Sequence, residues 1–278
     1  MDVTLNEIAY LLTVPAGALS LDESTLYAVI EQDGHLIEKQ WVGDELKDNI
    51  FIASCAEGSP SAKYLLNEDV RRVFFVDVDH VLQCSEYDES DEEWNEVPLE
   101  SESPIILHPK SQMSGCFDDQ NNQIIFFQTP SGQLQGIRVL ETGECSPLPE
   151  IWHEFQNHTA FTSDNGAIHF MFIDDDNQIH NVMLDSNSNT WHDKPVLGGG
   201  FGEHDLIRFT ATSTDEADLG FLSVSLEGKV LYLSPQGELR ELGHLDNQRF
   251  SAKSSEECVI EIARGGKKLV KAMCGSKR

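Results

Sequence analysis

LYAVIEQDGHLIEKQW, residues 26–41, reads as two short apolar runs joined by a tight turn at Asp33-Gly34. Runs rich in aliphatic and aromatic residues on either side of Asp-Gly predict a β-hairpin, because Gly supplies the positive φ that a two-residue turn requires. The pattern recurs five times: VFFVDVDHVLQCSEY (73–87), IIFFQTPSGQLQGIRV (124–139), HFMFIDDDNQIHNVML (169–184), GFLSVSLEGKVLYLS (220–234) and VIEIARGGKKLVKAM (259–273). Each turn ends in a small or turn-forming residue, a polar residue and an aliphatic one. These are Gly34-His35-Leu36, Asp79-His80-Val81, Gly132-Gln133-Leu134, Asn177-Gln178-Ile179, Gly228-Lys229-Val230 and Lys267-Lys268-Leu269. The first residues of these triplets lie 45, 53, 45, 51 and 39 positions apart. In the last unit Gly265-Gly266 supply the turn's freedom instead.

Further strand-like pieces precede most hairpins: EIAYLLTV (7–14), IFIASCA (50–56), HTAFTSD (158–164), LIRFTAT (206–212) and RFSAKSS (249–255). Some units add a fourth strand whose turn lies near Trp41, Trp94 or Trp191. Six units of four strands at this period predict one all-β domain over residues 1–278, a six-bladed β-propeller of four-stranded antiparallel blades. The N-terminal strand is expected to complete the last blade and close the ring, which removes the exposed sheet edges. No long stretch shows helical periodicity.

The formal net charge of -29 repels phosphate backbones, so no nucleic-acid partner is expected. The same charge weakens contact with an anionic membrane, and no apolar stretch approaches a membrane span. The N-terminus lacks a basic region, and its apolar residues 8–19 are broken by Thr13, Pro15 and Gly17, which points to a cytoplasmic protein. Six cysteines are scattered without a C-x-x-C pair, as expected of reduced, mostly buried thiols with room for one or two bridges. Glu and Asp crowd residues 86–102, while Arg264, Lys267, Lys268, Lys271, Lys277 and Arg278 give a basic tail. The acidic run reads as a solvated loop.

Motifs for covalent or metal chemistry are missing. There is no G-x-S-x-G elbow, and Gly198-Gly199-Gly200 lacks the Lys-Ser/Thr of a phosphate-binding loop. Asp77, Asp79 and His80, and Asp174, Asp175 and Asp176, cluster at turns without EF-hand spacing, so they read as turn carboxylates. No metal and no cofactor are expected.

The hairpins resemble those of fungal fucose-specific lectins, whose blades carry a sequence like I-R-V-Y-Y-Q-D-x-x-G-x-I-R-E with a Trp further on. Arg72-Val73-Phe74-Phe75-Val76-Asp77 with Trp94 is the nearest match, and Ile168-His169-Phe170-Met171-Phe172-Ile173-Asp174 with Trp191 the next. The resemblance implies a sugar held by an Arg, a Glu and aromatic rings within a blade. At the Arg position this chain has Arg72 and elsewhere Leu26, Ile124, His169, Gly220 and Val259. At the Glu position it has Glu38, Gln83, Gly136, Asn181, Tyr232 and Lys271. No blade carries both, so an unaltered fucose site is not expected.

The chain also looks like a second branch with this lectin fold, fungal hetero-Diels–Alderases that join a tropolone quinone methide to a terpene. That likeness implies a pericyclase with no covalent nucleophile, in which Arg72 polarises the tropolone oxygens and His169 or His180 moves a proton. Tyr27, Trp41, Trp94 and Trp191 would then form the wall that binds small apolar substrates. The alternatives are a glycan-binding lectin with degenerate sites and a non-catalytic interaction propeller. A homodimer is compatible with each.

Overall fold

All six hairpins form, and the turn residues explain why. In the computed structural model Asp33 and Gly34 both take positive φ, 54° and 77°, the mirror-image turn that a two-residue hairpin needs. Gly132, Asn177 and Gly228 occupy the same conformation in later units. The second unit departs by one residue, with His80 rather than Asp79 at positive φ. Its buried aliphatic residue is accordingly Leu82, not Val81. The structure describes the chain apart from residues 1–4, 23, 44, 56–60, 152–156, 164, 186–187, 197–199, 213–218, 247–248, 254–257, 265–267 and 275–278. Gly198, Gly199, the Gly265-Gly266-Lys267 turn, Lys277 and Arg278 therefore lie outside the described residues.

The protein is an all-β propeller of four-stranded antiparallel blades, and the chain divides into two compact units. Residues 14–153 hold three blades. Blade 1 is β1 (Ala16–Leu19), β2 (Leu26–Gln32), β3 (His35–Val42) and β4 (Glu45–Ser54). Blade 2 is β5 (Ala62–Leu66), β6 (Arg71–Val76), β7 (Leu82–Asp88) and β8 (Glu93–Glu96). Blade 3 is β9 (Ser114–Phe117), β10 (Gln123–Gln128), β11 (Leu134–Val139) and β12 (Cys145–Pro147). β6 is buried along its whole length because both its faces are covered. Val29, Leu36, Tyr64, Val73, Phe75 and Trp94 fill the space between blades 1 and 2, and Phe74, Leu82, Cys84, Ile125, Phe127 and Ile137 the space between blades 2 and 3.

The other unit, residues 1–13 with 154–278, holds blade 4 and a five-stranded sheet. Blade 4 is β13 (His158–Thr162), β14 (Ile168–Ile173), β15 (Ile179–Asp185) and β16 (Thr190–Pro195). The fifth sheet is β17 (Leu206–Ala211), β18 (Phe221–Ser225), β19 (Lys229–Leu233), β20 (Leu239–Asp246) and β21 (Arg249–Ala252). Met171, Phe201, Phe209, Phe221 and Leu231 form the core between them.

Three expectations need correction. Five blades are built, not six: the last unit contributes, among the described residues, only the two-stranded pair β22 (Cys258–Arg264) and β23 (Lys268–Cys274). Residues 249–252 belong to the fifth sheet, because only two residues separate β21 from β20 and the pair folds back on itself. Residues 50–54 likewise end blade 1 rather than begin blade 2. The N-terminal segment expected to close the ring is a helix, α1 (Leu5–Leu11), packed near β20, β21 and β23. Leu5, Ile8, Ala9 and Leu11, with Leu12 just after, are related by three- and four-residue steps, as on a helical face, and do not alternate as in a strand. Among the described residues no helix is long and apolar enough to cross a membrane.

Candidate functional site

β6 opens with two arginines side by side. Successive residues of a strand point to opposite faces, so Arg71 turns toward blade 1 and Arg72 toward blade 3. The Arg71 guanidinium is clamped between the rings of Tyr27 and Tyr87, its carbon 4.2 and 3.7 Å from their centroids. The Trp94 ring lies 5.6 Å away. Arg71 Nε donates to the Tyr64 hydroxyl at 2.8 Å, and Nη2 donates to Glu38 Oε1 at 2.5 Å. Glu38 also accepts from the Tyr64 hydroxyl at 2.6 Å and from Gln40 Nε2 at 2.9 Å. The third arm, Nη1, reaches Glu89 Oε1 at 3.3 Å, and Glu89 is an exposed side chain.

Glu38 is fully buried and Arg71 almost so. Burial pushes the Glu38 carboxyl up, and Arg71, Tyr64 and Gln40 draw it only part of the way back. Burial works against the Arg71 charge too, but Tyr64 and Glu38 outweigh it and hold the guanidinium more firmly protonated than usual. A buried pair of this kind is held by its mutual attraction and by satisfied hydrogen bonds, against a desolvation cost of several kcal/mol per ion. The rings add cation–π attraction, about 2 kcal/mol or more where the charge is desolvated.

The sequence placed Glu38 at the lectin-like Glu position but found no arginine in its blade. The partner comes from the next blade, which a blade-by-blade comparison does not see. Neither pair puts both residues at the lectin-like positions of one blade: Arg71 and Glu38 come from different blades, and Arg72 pairs within blade 2 with Glu86, Nε to Oε2 at 2.6 Å, away from the Glu position. Arg72 also donates to Gln123 Oε1 at 2.6 Å and to the Glu141 carbonyl at 2.9 Å. The one-residue shift at His80 moves the Glu position of blade 2 from Gln83 to Cys84. In blade 3 that position is Gly136, where a Cβ would come within 2.8 Å of Phe126.

Of the residues singled out in the sequence, Tyr27 and Trp94 join Arg71. Trp41 lies opposite Leu26 in blade 1 with its indole nitrogen buried and unpartnered. Trp191 lies opposite Leu184 in blade 4. His169 is fully buried in blade 4, its Nδ1 2.9 Å from Asn181 Oδ1 and its Nε2 3.0 Å from Ser163 Oγ. His180 sits between Asp174 and Asp193 at 3.0 Å from each. Arg72 belongs to residues 14–153 and the two histidines to the other unit. Arg71, Tyr64, Tyr87 and Glu89 were missed; the Arg71-Arg72 doublet was the available signal, because one of two adjacent strand residues must face each neighbour.

No protein-family profile and no curated protein sequence matches the chain. Solved structures do. AofleA from Arthrobotrys oligospora superposes with a TM-score of 0.63 at 11% identity, covering 94% of this chain and 86% of that one. The fucose-specific lectin from Aleuria aurantia gives 0.58 at 12% identity, covering 90% of both chains. SapL1 lectin in complex with α-methyl fucoside gives 0.57 at 13% identity, covering 81% of this chain and 77% of that one. At these identities the likeness establishes a lectin-type fold.

Proposed function

We propose that the protein is a lectin-type propeller that binds a carbohydrate where blades 1 and 2 meet, with Arg71 and Glu38 as the polar floor and Tyr27 and Tyr87 as walls. The observation that carries this reading is the Arg71–Glu38 pair enclosed by aromatic rings. Sugar recognition uses the same chemistry: a guanidinium that donates to hydroxyls, a carboxylate that accepts from them, and ring faces against the apolar side of the sugar. Nη1 is the arm that points to the rim, where only the exposed Glu89 holds it. A ligand hydroxyl takes the place of Glu89 there. Structural neighbours solved as fucose-specific or with a bound fucoside support a fucosylated glycan as the first ligand to test.

Cycloaddition would instead need Arg72 and a histidine to face one accessible apolar cavity. Arg72 is engaged by three partners and His169 is fully enclosed, which favours binding over catalysis.

A glycan array followed by titration with α-methyl fucoside tests the proposal. Tyr87→Ala is expected to weaken binding about tenfold, the scale of one aromatic contact. Glu89→Ala removes the competing carboxylate and is expected to strengthen it. An array with no fucosylated hit, or a fucoside affinity that neither substitution moves, sinks the reading.

A further inference from the structure

Trp94 has a second environment. Away from Arg71 it lines an open cleft of about 460 Å³ between β4 and blade 2, together with Phe51, Phe75, Asp77, Gln83 and Glu96. The size suits a small organic ligand. Phe51 presents its ring at 56% exposure, unusual for a phenylalanine on a strand, while Trp94 is 8% exposed with a buried indole N–H that has no hydrogen-bond partner among the described residues.

The polar groups are one-sided. Asp77 is occupied by its own turn, accepting from the Asp79 and Val81 amides and from Gln83 Nε2. That last bond fixes the Gln83 amide, whose carbonyl oxygen accepts nothing from the described residues. Glu96 enters no ion pair among the described residues, and no Lys or Arg lines the cleft. The lining thus offers the Glu96 carboxylate and the Gln83 carbonyl as acceptors beside the exposed Phe51 ring.

We propose that this cleft binds an amino sugar. The ammonium donates to Glu96 and the Gln83 carbonyl, and the ring lies against Phe51. The cation also suits a surface of formal charge -29. The site shares Trp94 with the Arg71 cluster but does not depend on sugar binding there.

Calorimetric titration with glucosamine, N-acetylglucosamine and α-methyl fucoside separates the two sites. Saturable glucosamine binding is expected, about tenfold or more tighter than N-acetylglucosamine, whose nitrogen is uncharged. Glu96→Gln and Phe51→Ala, both at exposed positions, are each expected to lower glucosamine affinity about tenfold. Absent glucosamine binding, equal affinity for the two glucosamines, or an affinity unmoved by Glu96→Gln overturns the proposal. Fucoside binding without glucosamine binding removes this site alone; glucosamine binding without fucoside binding supports it and removes the reading of the Arg71 cluster.

Discussion

Blades 1 and 4 fill the same position with different chemistry. Glu38 and Asn181 both stand two residues after the buried aliphatic residue that follows the turn, Leu36 in one blade and Ile179 in the other. Around Asn181 the partners are local: His169 from the neighbouring strand, bonded in turn to Ser163, with Phe161 stacked on the imidazole at 4.8 Å. Around Glu38 the partners are charged and come from the next blade. The local network closes blade 4 on itself and leaves its histidine fully buried. The charged one ties two blades together and brings one guanidinium arm to the rim. The difference teaches that a buried polar cluster reaches the rim when a partner arrives from outside the sheet, because the seam between sheets leaves room for a side chain to extend toward solvent.

Removing one member of the charged cluster should have the largest effect on stability. Glu38→Ala strands a guanidinium that cannot shed its proton, and urea unfolding should show a loss of about 3–5 kcal/mol. Arg71→Met should cost less. It leaves a carboxyl that burial already pushes up, and that group can take a proton. Because the folded pKa is raised, the part of the Arg71→Met penalty that comes from the stranded carboxylate is absent at acid pH and grows as pH rises through the unfolded carboxylate range. Equal losses for the two substitutions, or a Met variant insensitive to pH, would break the contrast. In blade 4, His169→Leu leaves Asn181 without its ring partner and should cost about 1–3 kcal/mol. A loss as large as that of Glu38→Ala would show the local network to be no weaker than the charged one.

What the sequence revealed was local. Asp33-Gly34, Gly132, Asn177 and Gly228 announce their hairpins because positive φ is a property of one or two residues. The slip at His80 was hidden because Asp79 and His80 both tolerate turn geometry, and only the burial of Leu82 decides between them. The helix at Leu5–Leu11 was read as a strand because seven residues are too few for apolar spacing to stand out. Arg72 was singled out, and Arg71 was not, for a different reason. Which face of β6 meets Glu38 depends on the order of the blades, and no residue near Arg71 in sequence records it. Tyr27 and Trp94 were singled out as aromatic residues, whereas Tyr64 and Tyr87, equally aromatic and on neighbouring strands, were not, because residue type does not record which rings meet around one guanidinium.

The smallest effect belongs to His180, a partly exposed counterpart to His169 that faces two carboxylates. Its ring is stacked on Phe172 at 4.8 Å, and its nitrogens face Asp174 and Asp193. Burial disfavours the imidazolium, but the two aspartates outweigh it and raise the His180 pKa above its ordinary value. Asp174 is held low: its partial burial works the other way, but the Gln178 amide and His180 prevail. A raised histidine pKa means that the folded state binds the proton more tightly than the unfolded chain does. The stabilisation is therefore complete below the unfolded value, about 6.5, and is lost as pH rises through the folded one. His180→Asn should cost about 1 kcal/mol near pH 5.5 and measurably less near pH 8.5. A cost that stays level across that window would mean that the imidazole is neutral throughout. His180 would then act as a hydrogen-bonding spacer between Asp174 and Asp193.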